Sequence, residues 1–167
     1  MKVLYILTFW LITISALSGQ ETYGQSLPYK ALLNSTYDKN FALVYPDQKE
    51  LINGAVLLDT REKNEFNVSH LKGAQWVGYD NFDMSRVKGI PKEQAIIVYC
   101  SIGARSQEIG KKLKQSGYSE VYNLYGGIFH WVNENNPVFQ LDSIPTNKVH
   151  TYNKMWGVWL NKGEKVH

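Results

Sequence analysis

Short apolar runs bounded by polar and turn residues punctuate the middle of the chain. Ala55-Val56-Leu57-Leu58-Asp59 and Ala95-Ile96-Ile97-Val98-Tyr99 carry β-branched residues without polar alternation, which predicts strands buried on both faces of a parallel sheet. Val121-Tyr122-Asn123-Leu124 predicts another strand. From Ser106, Ile109, Gly110 and Leu113 recur at helical spacing among lysines until Ser116-Gly117 supplies a stop, so an amphipathic helix follows the second strand directly. Gly126-Gly127 marks a sharp turn, and residues Ile128 to Asn133 predict a short helix. A further short helix is expected near Ser26–Leu33, inside a polar lead-in over residues 19–49. Strands alternating with helices predict an α/β fold with a central parallel sheet.

The amino end has a different pattern. Met1-Lys2 precedes an almost entirely apolar stretch from Val3 to Leu17, shorter than the roughly 20 residues a membrane-spanning helix needs. Ala16 and Ser18 then place small residues two apart, as signal peptidase requires. Residues 1–18 are expected to be a removed signal peptide. The remainder would be exported, periplasmic or secreted, without stable membrane insertion.

Composition narrows the function classes. A chain of 167 residues and 19.2 kDa fits one domain, and 44% hydrophobic against 20% charged residues excludes a wholly disordered protein. The net charge of +3 comes from 18 basic and 15 acidic residues spread along the chain, which argues against a nucleic-acid partner. The single cysteine, Cys100, excludes an intramolecular disulfide and any cysteine-clustered metal site. The four histidines are scattered, so no metal and no other cofactor is expected. An exported chain with one thiol needs a reason for keeping it.

That reason lies in Val98-Tyr99-Cys100-Ser101-Ile102-Gly103-Ala104-Arg105-Ser106, where strand, thiol, loop and helix N-terminus follow in order. Amides from Ser101 to Ser106 are expected to curl inward as an anion cradle. The helix dipole adds partial positive charge and favours the thiolate. Gly103 permits the backbone angles of a tight cradle, and Arg105 offers a forked donor to an oxyanion. Cys100 is thus the candidate nucleophile, and Ser101, Ile102, Gly103, Ala104, Arg105 and Ser106 are the candidate substrate-binding loop.

This loop resembles that of the rhodanese-like (sulfurtransferase) family, and other segments carry the same resemblance. Leu58-Asp59-Thr60-Arg61-Glu62, Glu65-Phe66 and His70-Leu71-Lys72-Gly73-Ala74 are similar to the family's first signature. Gly117-Tyr118, Leu124-Tyr125-Gly126-Gly127-Ile128 and Trp131 are similar to its closing one. Ser69 stands where a glycine usually precedes the histidine, and Trp76 where asparagine is frequent. The resemblance covers residues 50–138 and implies a three-layer α/β fold with helices on both faces of a parallel sheet. It also implies a Cys100 persulfide that carries sulfur from a small anionic donor such as thiosulfate to a thiol or cyanide acceptor. By the same resemblance Asp59, Arg61 and His70 sit near the pocket. Their residue types read instead as an ion pair with Glu62 or Glu65, and as a hydrogen-bonded packing histidine.

Two rivals remain at this level. Cysteine phosphatases also use a thiolate, an amide cradle and an arginine, but with Cys-x5-Arg spacing rather than the shorter Cys100-x4-Arg105. A partner-binding or thiol redox-sensing module without turnover would keep the fold. Residues 139–167 hold Tyr152, Trp156, Val158 and Trp159, more apolar surface than a free extension should show, and are expected to pack on the domain.

Overall fold

The two apolar runs become the adjacent central strands of a five-stranded parallel sheet. The computed structural model describes residues 26–141 and 143–167; the expected signal segment lies outside them. In chain order the main elements are α1 (Leu27–Thr36), β1 (Leu43–Val44), α2 (Lys49–Gly54), β2 (Val56–Asp59), α3 (Lys63–Val68) and β3 (Gln75–Trp76). A 3-10 turn at Met84–Val87 precedes β4 (Ile96–Tyr99), α4 (Ala104–Gln115), β5 (Val121–Leu124) and α5 (Gly127–Asn133). The strand order is β1-β5-β4-β2-β3. Val56 lies opposite Ile96 and Asp59 opposite Tyr99, while Ile96 also lies opposite Val121. All carboxyl ends therefore open on one edge, where α/β sheets bind ligands, and Cys100 follows directly from β4 there.

Alternation along the strands divides the core into two layers. Leu57, Ile97 and Tyr99 point to one face with Tyr29, Leu33 and Phe129; Leu58, Ile96 and Val98 point to the other, against Ile109 and Leu113 of α4. The helical period of α4 thus matches one face of the sheet, and helices cover both.

The lead-in over residues 19–49 needs correcting where it is described. Ser26 caps α1 by accepting from the Tyr29 amide at 3.4 Å, Tyr29 and Leu33 are buried in the core, and β1 forms the sheet edge beside β5. From residue 26 onward this segment packs into the domain. The expected helix Ser26–Leu33 runs three residues further, to Thr36. The amphipathic helix starts at Ala104 rather than Ser106, with Gly103 as its cap.

The C-terminal segment is ordered into two small sheets. β6 (Val138–Gln140) pairs antiparallel with β7 (Ile144–Thr146), and β8 (Lys148–His150) runs parallel to β9 (Glu164–Val166), with a 3-10 turn at Trp156–Trp159 between them. Val149 and Leu160 are fully buried, and Trp159 stacks on Tyr29 with ring centroids 5.3 Å apart. Asn133 locks the return by donating to the Trp159 carbonyl at 2.9 Å and accepting from the Asn161 amide at 2.8 Å.

Candidate active site

The loop after β4 is held by its carbonyls. Those of Cys100 and Ser101 accept from Ile128 and Phe129 amides in the first turn of α5, at 2.9 and 3.1 Å. The Ile102 carbonyl accepts from the Tyr37 hydroxyl, and that of Gly103 from the Asn123 side chain at 2.9 Å. With these oxygens tied down, the Gly103 amide points at Cys100 Sγ, 3.1 Å away. Gly103 reaches this with φ of +103°, and a side chain there would run into the Tyr37 ring.

Gly127 is packed as closely, and against backbone. Its φ is +56°, and a Cβ would lie 2.3 Å from the Cys100 carbonyl oxygen. Gly127→Ala is therefore expected to lose at least about 2 kcal/mol of stability, because the obstructing atom is backbone and the angle is unfavourable for any side chain. It should also displace the loop. A lowered urea midpoint with altered iodoacetamide alkylation of Cys100 checks this, and parent values for both would refute it.

Cys100 is buried at the floor of a cavity of about 280 Å³, walled by Ser101, Ile102, Ala104, Arg105, Tyr152 and Trp156. Ser106, by contrast, is turned into the fold, where its hydroxyl donates to Asn123 Oδ1 at 2.7 Å. Arg105 does not project alone. Its guanidinium grips both oxygens of Glu65 at 2.8 and 2.9 Å, donates to Ser101 Oγ at 3.1 Å, and lies under the Tyr152 ring at 5.1 Å. Glu65 also accepts from the Glu62 amide at 3.0 Å, closing the capping box that starts α3.

Burial pushes the Glu65 carboxyl up, but the bonds and charge of Arg105, the charge of Arg61 and the Glu62 amide outweigh it and hold Glu65 below the ordinary range. A depressed folded value means that the stability is complete above the unfolded glutamate value of about 4.3 and is lost as pH falls through the folded value. Glu65→Gln is expected to cost about 1–3 kcal/mol at pH 7. It should also flatten the acid fall in stability. Urea midpoints measured from pH 7 downward test this; an unchanged acid slope would assign that fall to other groups.

Asp59, Arg61 and His70 do not line the cavity. Arg61 is fully buried and pairs with Asp59, not with the expected Glu62 or Glu65: its Nε lies 3.0 and 3.1 Å from the two carboxylate oxygens. Asp59 Oδ1 also accepts the Arg61 amide at 2.9 Å, so the backbone turn selects the nearer carboxylate. His70 stacks on Phe66, its Nδ1 is 3.0 Å from the Phe66 carbonyl, and its backbone exchanges hydrogen bonds with Phe139. Phe129 and Trp131 are buried in the core. Ser69 is extended at φ −168°, so it replaces glycine without backbone strain. Trp76 donates to the Arg61 carbonyl at 2.8 Å and stacks under Arg86. Sequence reasoning missed Glu65 as the Arg105 partner, Tyr37 as the loop's tie, and the aromatic wall of Tyr152 and Trp156.

A parallel sheet that delivers a cysteine into a loop braced by two helices defines a class of domain, and residues 46–134 match the rhodanese-like domain. The chain belongs to that family. It is 30% identical over 94 residues to the thiosulfate sulfurtransferase GlpE of Pseudomonas fluorescens, covering 54% of this chain and 84% of that protein. It is 35% identical over 81 residues to the uncharacterized protein YqhL of Bacillus subtilis, covering 46% of this chain and 60% of YqhL. It is 29% identical over 82 residues to the probable adenylyltransferase/sulfurtransferase MoeZ of Mycobacterium tuberculosis, covering 48% of this chain but 21% of MoeZ. Among solved structures, the BH2092 protein of Bacillus halodurans superposes with a TM-score of 0.54 at 23% identity, over 69% of this chain and 85% of that one. The latter likeness is one of fold.

Proposed function

We propose that this chain is a sulfurtransferase that carries a sulfane sulfur as a persulfide on Cys100. The observation that carries the proposal is the seat of the thiol: buried at a cavity floor, at the end of a parallel strand, with the Gly103 amide on its sulfur and a helix N-terminus behind it. The family and the sulfurtransferase relatives support the same chemistry.

The reaction has two halves. The Cys100 thiolate attacks the outer sulfur of a donor such as thiosulfate; a sulfur–sulfur bond forms, the donor's breaks, and sulfite leaves with the electron pair. The terminal sulfur then passes to a thiol or cyanide, restoring the thiolate. The Gly103 amide and the α4 dipole stabilise the anionic sulfur in both states. The apolar stretch from Val3 to Leu17 supports export as the setting for this activity. The test is intact-mass measurement after exposure to thiosulfate, together with thiosulfate-to-cyanide turnover. A gain of one sulfur atom, removed by reductant and matched by thiocyanate release, is the expected result. No mass gain and no turnover, with thiosulfate or with an organic thiosulfonate, would overturn the proposal.

A further inference from the structure

We infer that the C-terminal segment makes this site selective for organic sulfane donors, monoanions in which the sulfur is carried on an apolar group, over the inorganic dianion thiosulfate. The inference rests on the sulfur-transfer reading and names its substrate class.

Charge argues first. Of the described residues that line the cavity, Arg105 is the only charged one, and both prongs of its guanidinium are committed to Glu65. The neighbouring Arg61 has its charge paired with Asp59 through Nε and one terminal nitrogen; its other terminal nitrogen is buried in the fold, and Arg61 does not line the cavity. These four charges cancel, so a dianion meeting the Cys100 thiolate finds no uncompensated cation to repay its desolvation. A donor with a single charge and a neutral group is penalised less.

The wall argues independently. Tyr152 and Trp156 face the cysteine loop across the cavity, and both lie beyond residue 134, outside the matched domain. Tyr152 holds a left-handed φ of +64°, unfavourable for an aromatic residue. The turn is fixed by its amide donating to His150 Nδ1 at 3.0 Å, and its ring rests over Arg105. Such strain persists where the surroundings enforce it and is concentrated at functional sites. Exposed Met155 and Val158 flank Trp156 in the chain. At about 280 Å³ the cavity lies at the small end of ligand pockets, matching one ring or a short alkyl group.

With an organic thiosulfonate, the Cys100 thiolate attacks the outer sulfur, the new sulfur–sulfur bond forms, and the sulfinate leaves with the bonding electrons. Two negative charges enter and two emerge, one on the persulfide and one on the sulfinate. No oxidant or reductant is needed.

Benzenethiosulfonate and thiosulfate, each with saturating cyanide, test this on the full domain. The expected kcat/KM ratio favours the aryl donor at least tenfold, and Trp156→Ala and Tyr152→Ala each collapse that ratio toward unity. A parent ratio near one, or a ratio unmoved by both variants, would overturn the inference while leaving sulfur transfer intact. If neither donor turns over, the sulfur-transfer reading fails and a binding readout decides the pocket's preference. Stronger protection of Cys100 from iodoacetamide by benzenesulfinate than by sulfite, lost in Trp156→Ala, supports it; equal protection overturns it.

Discussion

Cys100→Ser is expected to lower sulfur transfer by at least about a thousandfold, equivalent to roughly 4 kcal/mol of barrier, with the fold unmoved. A serine hydroxyl at neutral pH is scarcely ionised, and an oxygen nucleophile gives no persulfide to pass on. The Gly103 amide that meets Cys100 Sγ at 3.1 Å would have a hydroxyl oxygen as its acceptor instead, so no buried donor is left without a partner. The loop carbonyls tied to α5 and Tyr37 do not involve the sulfur, so the loop keeps its shape. Steady-state turnover beside thermal melting tests both halves. Turnover near that of the parent would remove Cys100 from the chemistry, and a melting temperature lowered by more than a few degrees would show that the sulfur is also structural.

Truncation after Leu141 should have the largest effect on stability. It removes Val149 and Leu160, both fully buried, and strips Trp159 from Tyr29. Each large apolar side chain is worth about 1.5–3 kcal/mol when buried, against which stands the entropy regained by the freed segment. A net loss of several kcal/mol is a large part of the roughly 5–15 kcal/mol that holds an ordinary domain. The Asn133 side chain also loses its partners on Trp159 and Asn161. A fall in melting temperature of about 10 °C or more, with dye binding to the uncovered Tyr29 face, is the expected result. An unchanged melting temperature, with amides of residues 143–167 exchanging freely in the intact chain, would instead make this segment a partner-binding extension.

The parts that sequence predicted best were those with a strong local signal. β4 is an uninterrupted apolar run and β2 is apolar up to its closing Asp59, and α4 spans three turns, so its period repeats often enough to be recognised. β1 and β3 have two residues each and α2 and α3 six, too short for any period to establish itself. β8 and β9 are brought together across more than a dozen residues of irregular chain, and their identity depends on Val149 finding the core. In the site, the cysteine loop is contiguous and was readable. The grip of Arg105 on Glu65 spans 40 positions and joins two surface-type residues, so nothing in the local sequence distinguishes it from a solvated pair.

The cavity has two builders. The reactive sulfur depends on β4, α4 and α5, whereas the facing aromatic wall hangs from β8 and β9, which form a sheet separate from the main one. Changes between Thr151 and Val158 therefore alter the mouth without passing through the strands that orient the thiol. The segment is in this sense a faceplate: on the proposed function, grafting a different one onto the same framework is expected to retune the choice of sulfur carrier while Cys100 and its supports stay in place.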